Sequence, residues 1–188
     1  MPPGWLSASQ WEFVSRAVPV PCVDFVLFRT RPDASAHIEL GLIERSYPDV
    51  PEPRSVWCHL GGRVRYGETI RQALDRHLNE TLMIHPAASL EADFDVLSAP
   101  VVTEWFPPES LPTIPPDADY GEDPRKHAIS LCYAAILLDS STSSDCRIEP
   151  RTTGEASNFE WIGLDRLPHL QLWPGSRRLV TRVVAATR

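Results

Sequence analysis

The sequence predicts a single α/β (α+β) domain over residues 1–188, with a mixed β-sheet sandwiched between α-helices. Three observations predict it: the length, the alternation of short apolar strands with amphipathic helical segments, and the lack of internal repeats. A chain of 188 residues with 43% hydrophobic and 23% charged residues has the composition of one ordinary domain. A domain of this size buries about 70% of its unfolded surface, so its core needs no disulfide or structural metal.

The first half of the chain contains one helical and three extended patterns. Residues 6–16 predict a short amphipathic helix with Ser7 as its N-cap. Residues 21–29 form an apolar run that predicts a buried strand, and residues 38–44 predict its hairpin partner. A further short strand, residues 56–60, runs into a pair of glycines.

The most regular helical pattern lies in residues 68–84, and the proline two residues later ends it. Residues 95–105 and 127–138 predict two more strands, and residues 158–162 predict a strand fragment. Residues 177–186 predict a closing helix. Strands and helices therefore alternate in a way that favours a layered domain.

The charge and the start of the sequence exclude several function classes. A net charge of -7 argues against binding nucleic acid, because that affinity depends on many phosphate contacts. No stretch reaches the roughly 18 apolar residues of a membrane span, and residues 1–5 do not resemble a secretion signal. We therefore expect a cytoplasmic protein without nucleic-acid or membrane partners. The cysteines lack metal-ligand spacing, which predicts reduced and mostly buried thiols at Cys22, Cys58, Cys132 and Cys146.

Residues at fixed intervals surround the main helical pattern. They follow G-x5-E-x7-R-E-U-x-E-E-x-G-U, in which U is aliphatic. The matches are Gly62, Glu68, Arg76, Leu78, Glu80 and Ile84. His77, Thr81 and Met83 stand where the pattern has glutamate, glutamate and glycine. The span resembles the Nudix box, and the resemblance implies the Nudix fold and a metal-dependent hydrolase of diphosphates.

The residues that depart from this pattern change the ligands that are available to a metal ion. Magnesium beside a diphosphate needs hard oxygen ligands, and residues 77, 80 and 81 share one helical face. Here they offer an imidazole, a carboxylate and a hydroxyl. Either further ligands come from elsewhere in the chain, or metal-dependent hydrolysis is weakened or absent. His77 and Glu80 together suit a borderline metal such as manganese or zinc, whereas a helix-surface histidine and a solvated glutamate are the simpler readings.

In Nudix proteins the residues matching Glu68 and Arg76 support the geometry of the loop and helix, with the glutamate close to the metal. Gly61 permits a tight backbone that brings a carbonyl next to a cation, although a plain hairpin glycine is the alternative. Arg63 and Arg65 alternate along an extended backbone and suit phosphate oxygens. Exposed arginines with no specific partner are the alternative.

A more distant likeness is to the GDP-mannose mannosyl hydrolase branch of the Nudix superfamily. It rests on Trp11, on the glycine pair with Arg63, and on Gly67-Glu-Thr69. That branch cleaves the sugar–phosphate bond with a bound magnesium. The resemblance places its site residues as follows: Asp24 and Arg45 near the sugar and phosphates, Arg63 and Arg76 near the diphosphate, and Glu155 at the late metal-binding position. Ala156 stands where the branch has a catalytic histidine.

A closer likeness is to a bacterial family of unknown function with a Nudix-like domain. It rests on Gly4-Trp5-Leu6-Ser7, Tyr66-Gly67-Glu68-Thr69, Arg76-His77-Leu78 and Asp123-Pro124-Arg125. This likeness covers most of the chain and implies the fold without a substrate. His127 follows the last of these motifs, at the entry to a predicted strand. It suits a proton carrier, with a hydrogen bond to a loop carbonyl as the alternative.

The leading hypothesis is a hydrolase of a small phosphorylated metabolite, such as a nucleoside diphosphate derivative or a nucleotide sugar, that uses Mg²⁺ or Mn²⁺. The predicted catalytic residues are Glu80, His77, His127 and Asp24. The predicted substrate-binding residues are Arg45, Arg63, Arg65 and Arg76. The predicted metal ligands are Glu80, Glu68, Glu155 and Gly61. The alternatives are a ligand-binding or regulatory module with a decayed metal site, and an isomerase or cyclase that uses histidine and aspartate. Nudix proteins are often dimers, so a homodimer is also possible.

Overall fold

The computed structural model describes residues 6–30, 38–46, 54–85, 93–97, 99–115, 118–138, 147–152 and 155–187. The helices in these ranges are α1 (Ala8–Ala17), α2 (Ile70–Thr81) and α3 (Ser176–Ala186). The strands are β1 (Val20–Thr30), β2 (Ile38–Ser46), β3 (Ser55–Cys58), β4 (Leu60–Arg63), β5 (Leu82–His85), β6 (Phe94–Val96), β7 (Val101–Phe106), β8 (Tyr120–Glu122), β9 (Ala128–Leu137), β10 (Arg147–Pro150) and β11 (Asn158–Gly163). Short 3-10 helices span Pro108–Thr113 and Leu167–His169.

The main sheet is mixed, and β1 lies at its centre. The strand order is β11-β2-β1-β9-β7-β8, with β3 on β2, β4 on β1 and β6 on β9. β1 runs parallel to β9 and antiparallel to β2 and β4. Residues 22–28 are all buried, so both faces of β1 are covered, and apart from Asp24 this part of the strand is apolar without alternation. The predicted fold class is confirmed.

The helix predicted over residues 68–84 is shorter than expected. It begins at Ile70, where Thr69 caps it in a capping box with Gln72, and it ends at Thr81. Leu82–His85 is instead strand β5, which pairs antiparallel with β10. Leu82 and Ile84 are buried on this strand. Over so short a stretch the apolar residues are compatible with either a helix or a strand. Pairing with the distant strand β10 makes this stretch a strand.

Two predicted strands are divided. Residues 95–105 form β6 and β7, which both pair with β9 and are separated by a segment ending at Pro100, a residue without a backbone donor. Residues 56–60 divide at His59, because β3 pairs with β2 whereas β4 pairs with β1. His59 therefore lies between β3, which pairs with β2, and β4, which pairs with β1.

The predicted terminal helices are confirmed. Ser7 and Gln10 form a capping box at the start of α1. No residue of α1 is fully buried, although Trp11 packs against the core. None of the helices in the described ranges is long and apolar enough to span a membrane.

The cysteine prediction holds where the structure describes it. Cys22, Cys58 and Cys132 are free and buried, and burial raises the pKa of the Cys22 and Cys58 thiols to about 12. Thiols with so high a pKa are poor nucleophiles. Cys146 lies outside the described residues, as do Gly4 and Trp5 of the family motif.

Candidate functional site

A groove of about 930 Å³ runs between α1, β4 and the end of α2, and we call it the outer groove. It brings together most of the residues that the sequence predicted for the site: Arg45, Gly61, Arg63, Arg65, His77, Glu80 and Glu155. Thr81 also lines it, so residues 77, 80 and 81 face one space as their helical spacing predicts. Three further cations that the sequence did not assign to the site lie on its wall: Arg125, Lys126 and Arg151.

Glu68 and Arg76 form a largely buried ion pair that does not line the groove. Arg76 donates to Glu68 from Nε to Oε1 at 2.7 Å and from Nη2 to Oε2 at 2.8 Å. The amide of Arg65 also donates to Glu68 Oε2, at 2.9 Å. The hydrogen bonds from Arg76, and then that from the Arg65 amide, lower the pKa of Glu68 from 4.5 to about 2 despite its partial desolvation. Both carboxylate oxygens of Glu68 therefore already accept hydrogen bonds from Arg65 or Arg76.

Glu80 is the one box carboxylate that faces the groove. Its side chain is half-exposed, with Oε1 accepting from Arg65 Nη2 at 3.1 Å and Oε2 accepting from Arg76 Nη1 at 3.1 Å. His77 lines the same groove, and its Nε2 lies 3.2 Å from the carbonyl oxygen of Arg63. Burial and then the charge of Arg76 lower the pKa of His77. His77 is therefore held as a neutral ring beside a backbone carbonyl.

The glycine pair lets β4 lie close to both β1 and α2. Gly61 and Gly62 lie in β4 with φ of +141° and +154°. A Cβ at Gly61 would overlap the carboxylate of Asp24, and a Cβ at Gly62 would lie 2.7 Å from Cε1 of His77. A side chain at Gly61 would therefore push β4 away from β1, and a side chain at Gly62 would push β4 away from α2.

A smaller cavity of about 70 Å³, which we call the inner pocket, lies beyond the glycine pair. It shares Arg45, His59, Gly61, Gly62, Arg125 and Lys126 with the outer groove. Asp24 lies here and not in the groove, and its buried Oδ2 accepts from Ser130 Oγ at 2.5 Å. His59 Nε2 lies 3.4 Å from the same oxygen. Burial acts to raise the pKa of Asp24, but His59 and Ser130 outweigh it and lower the pKa.

His59 is a residue that the sequence analysis missed. Its Nδ1 lies 3.4 Å from Ser176 Oγ, so a partner faces each ring nitrogen. The ring also packs against Trp105, with centroids 5.4 Å apart. Its position directly before Leu60 and the glycine pair was the signal available in the sequence, but the division between β3 and β4 that places it there depends on pairing across the sheet.

Two cations on the groove wall are fixed by one acid. Asp123 Oδ1 accepts from Arg125 Nε at 2.9 Å, and Asp123 Oδ2 accepts from Lys126 Nζ at 2.5 Å. Burial acts to raise the pKa of Asp123, and these two cations together lower it well below its usual value. Trp173 lies beside this cluster, with the guanidinium groups of Arg45 and Arg125 over its ring at 5.2 and 5.5 Å.

His127 does not join the other predicted residues. Its ring stacks on Phe106 with centroids 4.4 Å apart, and its Nε2 lies 3.9 Å from Glu104 Oε1. It lines neither the outer groove nor the inner pocket. The structure therefore places His127 in an aromatic cluster away from the other candidate catalytic residues.

The donor set of the groove does not fit a resident magnesium or manganese ion. In the part of the chain that the structure describes, no three side chains of histidine, cysteine, aspartate or glutamate gather in a group that could hold a metal. Both oxygens of Glu80 bind guanidinium groups, and Glu155 pairs with Arg45. An ion that prefers six oxygen ligands would find few of them available here.

Comparison with known proteins agrees with the fold. A possible asymmetric diadenosine tetraphosphate hydrolase from Jonesia denitrificans is 24% identical, with a TM-score of 0.60 over 90% of this chain and 94% of that chain. The Nudix domain of Shewanella oneidensis NrtR, complexed with ADP-ribose, is 15% identical, with a TM-score of 0.61 over 97% of this chain and 100% of that chain. A bifunctional NMN adenylyltransferase/ADP-ribose pyrophosphatase from Francisella tularensis, complexed with AMP and a manganese ion, is 16% identical, with a TM-score of 0.59 over 91% of this chain and 42% of that chain.

These likenesses show the Nudix fold. A comparison with curated proteins gave no match. The model of a domain of unknown function, DUF4916, matches residues 1–172, which is most of the sequence. The chain therefore belongs to the DUF4916 family, and its fold is that of the Nudix proteins.

Proposed function

We propose that the protein is a Nudix-fold hydrolase of a small phosphorylated metabolite and that the outer groove holds the phosphates. One observation carries this proposal: a chain of net charge -7 places six cationic side chains in the groove against two carboxylates. The cations are Arg45, Arg63, Arg65, Arg125, Lys126 and Arg151. Guanidinium groups bind phosphate oxygens in a bidentate way, so this wall suits a diphosphate.

The groove also supplies apolar surface beside the cations. Trp11 and Ile43 line it, and the guanidinium of Arg63 lies 4.7 Å from the centre of the Trp11 ring. An indole next to phosphate-binding groups suits the base of a nucleotide. The similar structures from Shewanella and Francisella hold ADP-ribose and AMP, which fits a nucleoside diphosphate derivative or a nucleotide sugar.

The proposed reaction is hydrolysis of a phosphate ester or anhydride bond. The oxygen of water forms a bond to phosphorus as the bridging oxygen leaves, and Glu80 accepts the proton of the water. The arginines stabilise the charge on the non-bridging oxygens. His77 borders the same space, whereas Asp24 is reached only through the inner pocket. No step above depends on magnesium or manganese, because the carboxylates of Glu80 and Glu155 are already paired with arginines.

The test is a substrate screen with a matched pair of variants. Nucleoside diphosphates, nucleotide sugars and prenyl diphosphates are incubated with the protein, and phosphate release and product masses are measured. Glu80→Gln should lower turnover by more than about tenfold, because the proton acceptor is lost. Glu160→Gln is the control, since Glu160 pairs with exposed Arg166 and does not line the groove. Unchanged turnover in Glu80→Gln would contradict the proposed role.

A second candidate function is a ligand-binding module without turnover. It is favoured by the ion pairs of the groove carboxylates, since Glu80 already binds two guanidinium groups and Glu155 pairs with Arg45. Binding of a nucleoside diphosphate in calorimetry, with no product by mass after prolonged incubation, would favour this module over the hydrolase.

A further inference from the structure

We infer that guanidinium groups take the place of the divalent metal in the outer groove, so that a diphosphate binds there without magnesium. This inference rests on the proposed function in one respect, namely that the groove receives a phosphorylated ligand. It goes further by naming the form of that ligand, which is the metal-free diphosphate and not its magnesium complex.

The charges around Glu80 support the inference. Arg65 and Arg76 each donate to one oxygen of the Glu80 carboxylate, both at 3.1 Å. Glu68 neutralises one of these two positive charges, so the excess positive charge of the groove comes from its lining, which holds six cationic side chains and only the carboxylates of Glu80 and Glu155. A cation that approached Glu80 would also meet the repulsion of both guanidinium groups. The site therefore already contains the positive charge that a metal would bring.

The guanidinium group of Arg76 cannot readily move away from Glu80. Arg76 is bound to both oxygens of Glu68, at 2.7 and 2.8 Å, and donates to the carbonyl oxygen of Arg63 at 2.9 Å. Its side chain is only 14% exposed. A metal ion that displaced Arg76 from Glu80 would have to compete with a group that the protein holds by several other bonds. Magnesium gives up its hydration water reluctantly, so that exchange is unfavourable.

The two altered box positions add no negatively charged ligand. His77, in the place of a glutamate, lies against the carbonyl oxygen of Arg63, the same oxygen that accepts from Arg76. With a carbonyl as its partner, Nε2 donates and is not available to a metal, which leaves only the neutral Nδ1. Thr81, in the place of the other glutamate, brings a neutral hydroxyl. Residues 77 and 81 thus remove the charge that would attract a cation.

Arg63 provides the contact for the ligand. Its guanidinium lies over the Trp11 ring, and no carboxylate of the described ranges forms an ion pair with it. Arg65 lies two residues away, and its partly exposed side chain can exchange one oxygen of Glu80 for a phosphate oxygen. These two arginines alternate along the backbone into the groove and form the proposed diphosphate contact.

The first experiment is calorimetry of the full chain with inorganic pyrophosphate, in EDTA and then in excess magnesium. We expect binding in EDTA and no tightening with magnesium. Arg63→Gln and Arg65→Gln should each weaken binding about tenfold in EDTA, the loss of one charge-assisted contact. Arg166→Gln is the control, because Arg166 is an exposed arginine with a glutamate partner and does not line the groove.

The second experiment restores the box with the double variant His77→Glu, Thr81→Glu. We expect it to bind magnesium alone in calorimetry, whereas the unaltered chain does not. Magnesium binding by the unaltered chain, or pyrophosphate binding only with magnesium, would overturn the inference and leave the proposed function standing. No pyrophosphate binding in either condition would overturn both. If the double variant does not fold, judged by circular dichroism, the comparison in EDTA still decides.

Discussion

The two halves of the box motif are built differently in this protein. The supporting half consists of Glu68 and Arg76, whose side chains are 13% and 14% exposed and which bind each other through two hydrogen bonds. The groove half consists of residues 77, 80 and 81, in which Glu80 is 50% exposed. The supporting half keeps the pattern, and the groove half departs from it at residues 77 and 81. We therefore expect the geometry of the loop and helix to depend mainly on the supporting half.

The largest effect should come from breaking the supporting half. Arg76→Ala leaves the carboxylate of Glu68 without its main partner in a largely buried place, so we expect a loss of about 3–5 kcal/mol in the free energy of unfolding. Urea denaturation measures it. Arg16→Ala is the control, since Arg16 and Glu12 form an exposed pair on α1, and it should change the stability by less than about 0.5 kcal/mol. Equal losses in the two variants would show that the supporting half is not special.

The same half should make stability depend on acid pH. Glu68 has a folded pKa of about 2, below its ordinary value of 4.5, so the folded protein binds its proton less readily than the unfolded chain. Its contribution, about 3 kcal/mol, is therefore full above the unfolded pKa and is lost as pH falls through the folded pKa. Urea denaturation across this range measures the slope. Glu68→Gln should flatten it, and an unchanged slope in that variant would assign the effect to other acids.

The sequence predicts the supporting half better than the rest of the site, for a physical reason. Glu68 and Arg76 are joined by local spacing, and the start of α2 at Thr69 is a local capping signal. The end of α2 depends instead on the pairing of Leu82 with Pro150, which no local pattern contains. The place of His59 and the ion pair of Arg45 with Glu155 likewise arise from distant segments. Spacing along the chain indicates which residues are neighbours on one helix or strand. Contacts between residues far apart in the sequence depend on how the strands pair in the sheet.

A smaller effect should follow from crowding the contact between β4 and α2. Gly62→Ala places a Cβ 2.7 Å from the ring of His77 at a φ of +154°, so we expect a loss of about 2 kcal/mol. Gly67→Ala is the matched variant, because its φ of +78° is also unusual but nothing lies within 4 Å of the added Cβ. It should lose about 1 kcal/mol. Thermal denaturation of both separates the close contact from backbone strain. Equal losses would mean that the approach of β4 to α2 is not tight.

The smallest effect on stability should come from the groove half. Glu80→Gln removes the charge of a half-exposed carboxylate and keeps its shape, and exposed ion pairs contribute about 0–1 kcal/mol, so urea denaturation should change little. The same variant should lose turnover while it binds pyrophosphate at least as well as the unaltered chain, because Arg65 then lacks a competing anion. Glu68→Gln gives the reference for the other half. If Glu80→Gln destabilised the protein as much as Glu68→Gln, the two halves would form one network, and the groove could not have changed its chemistry independently of the fold.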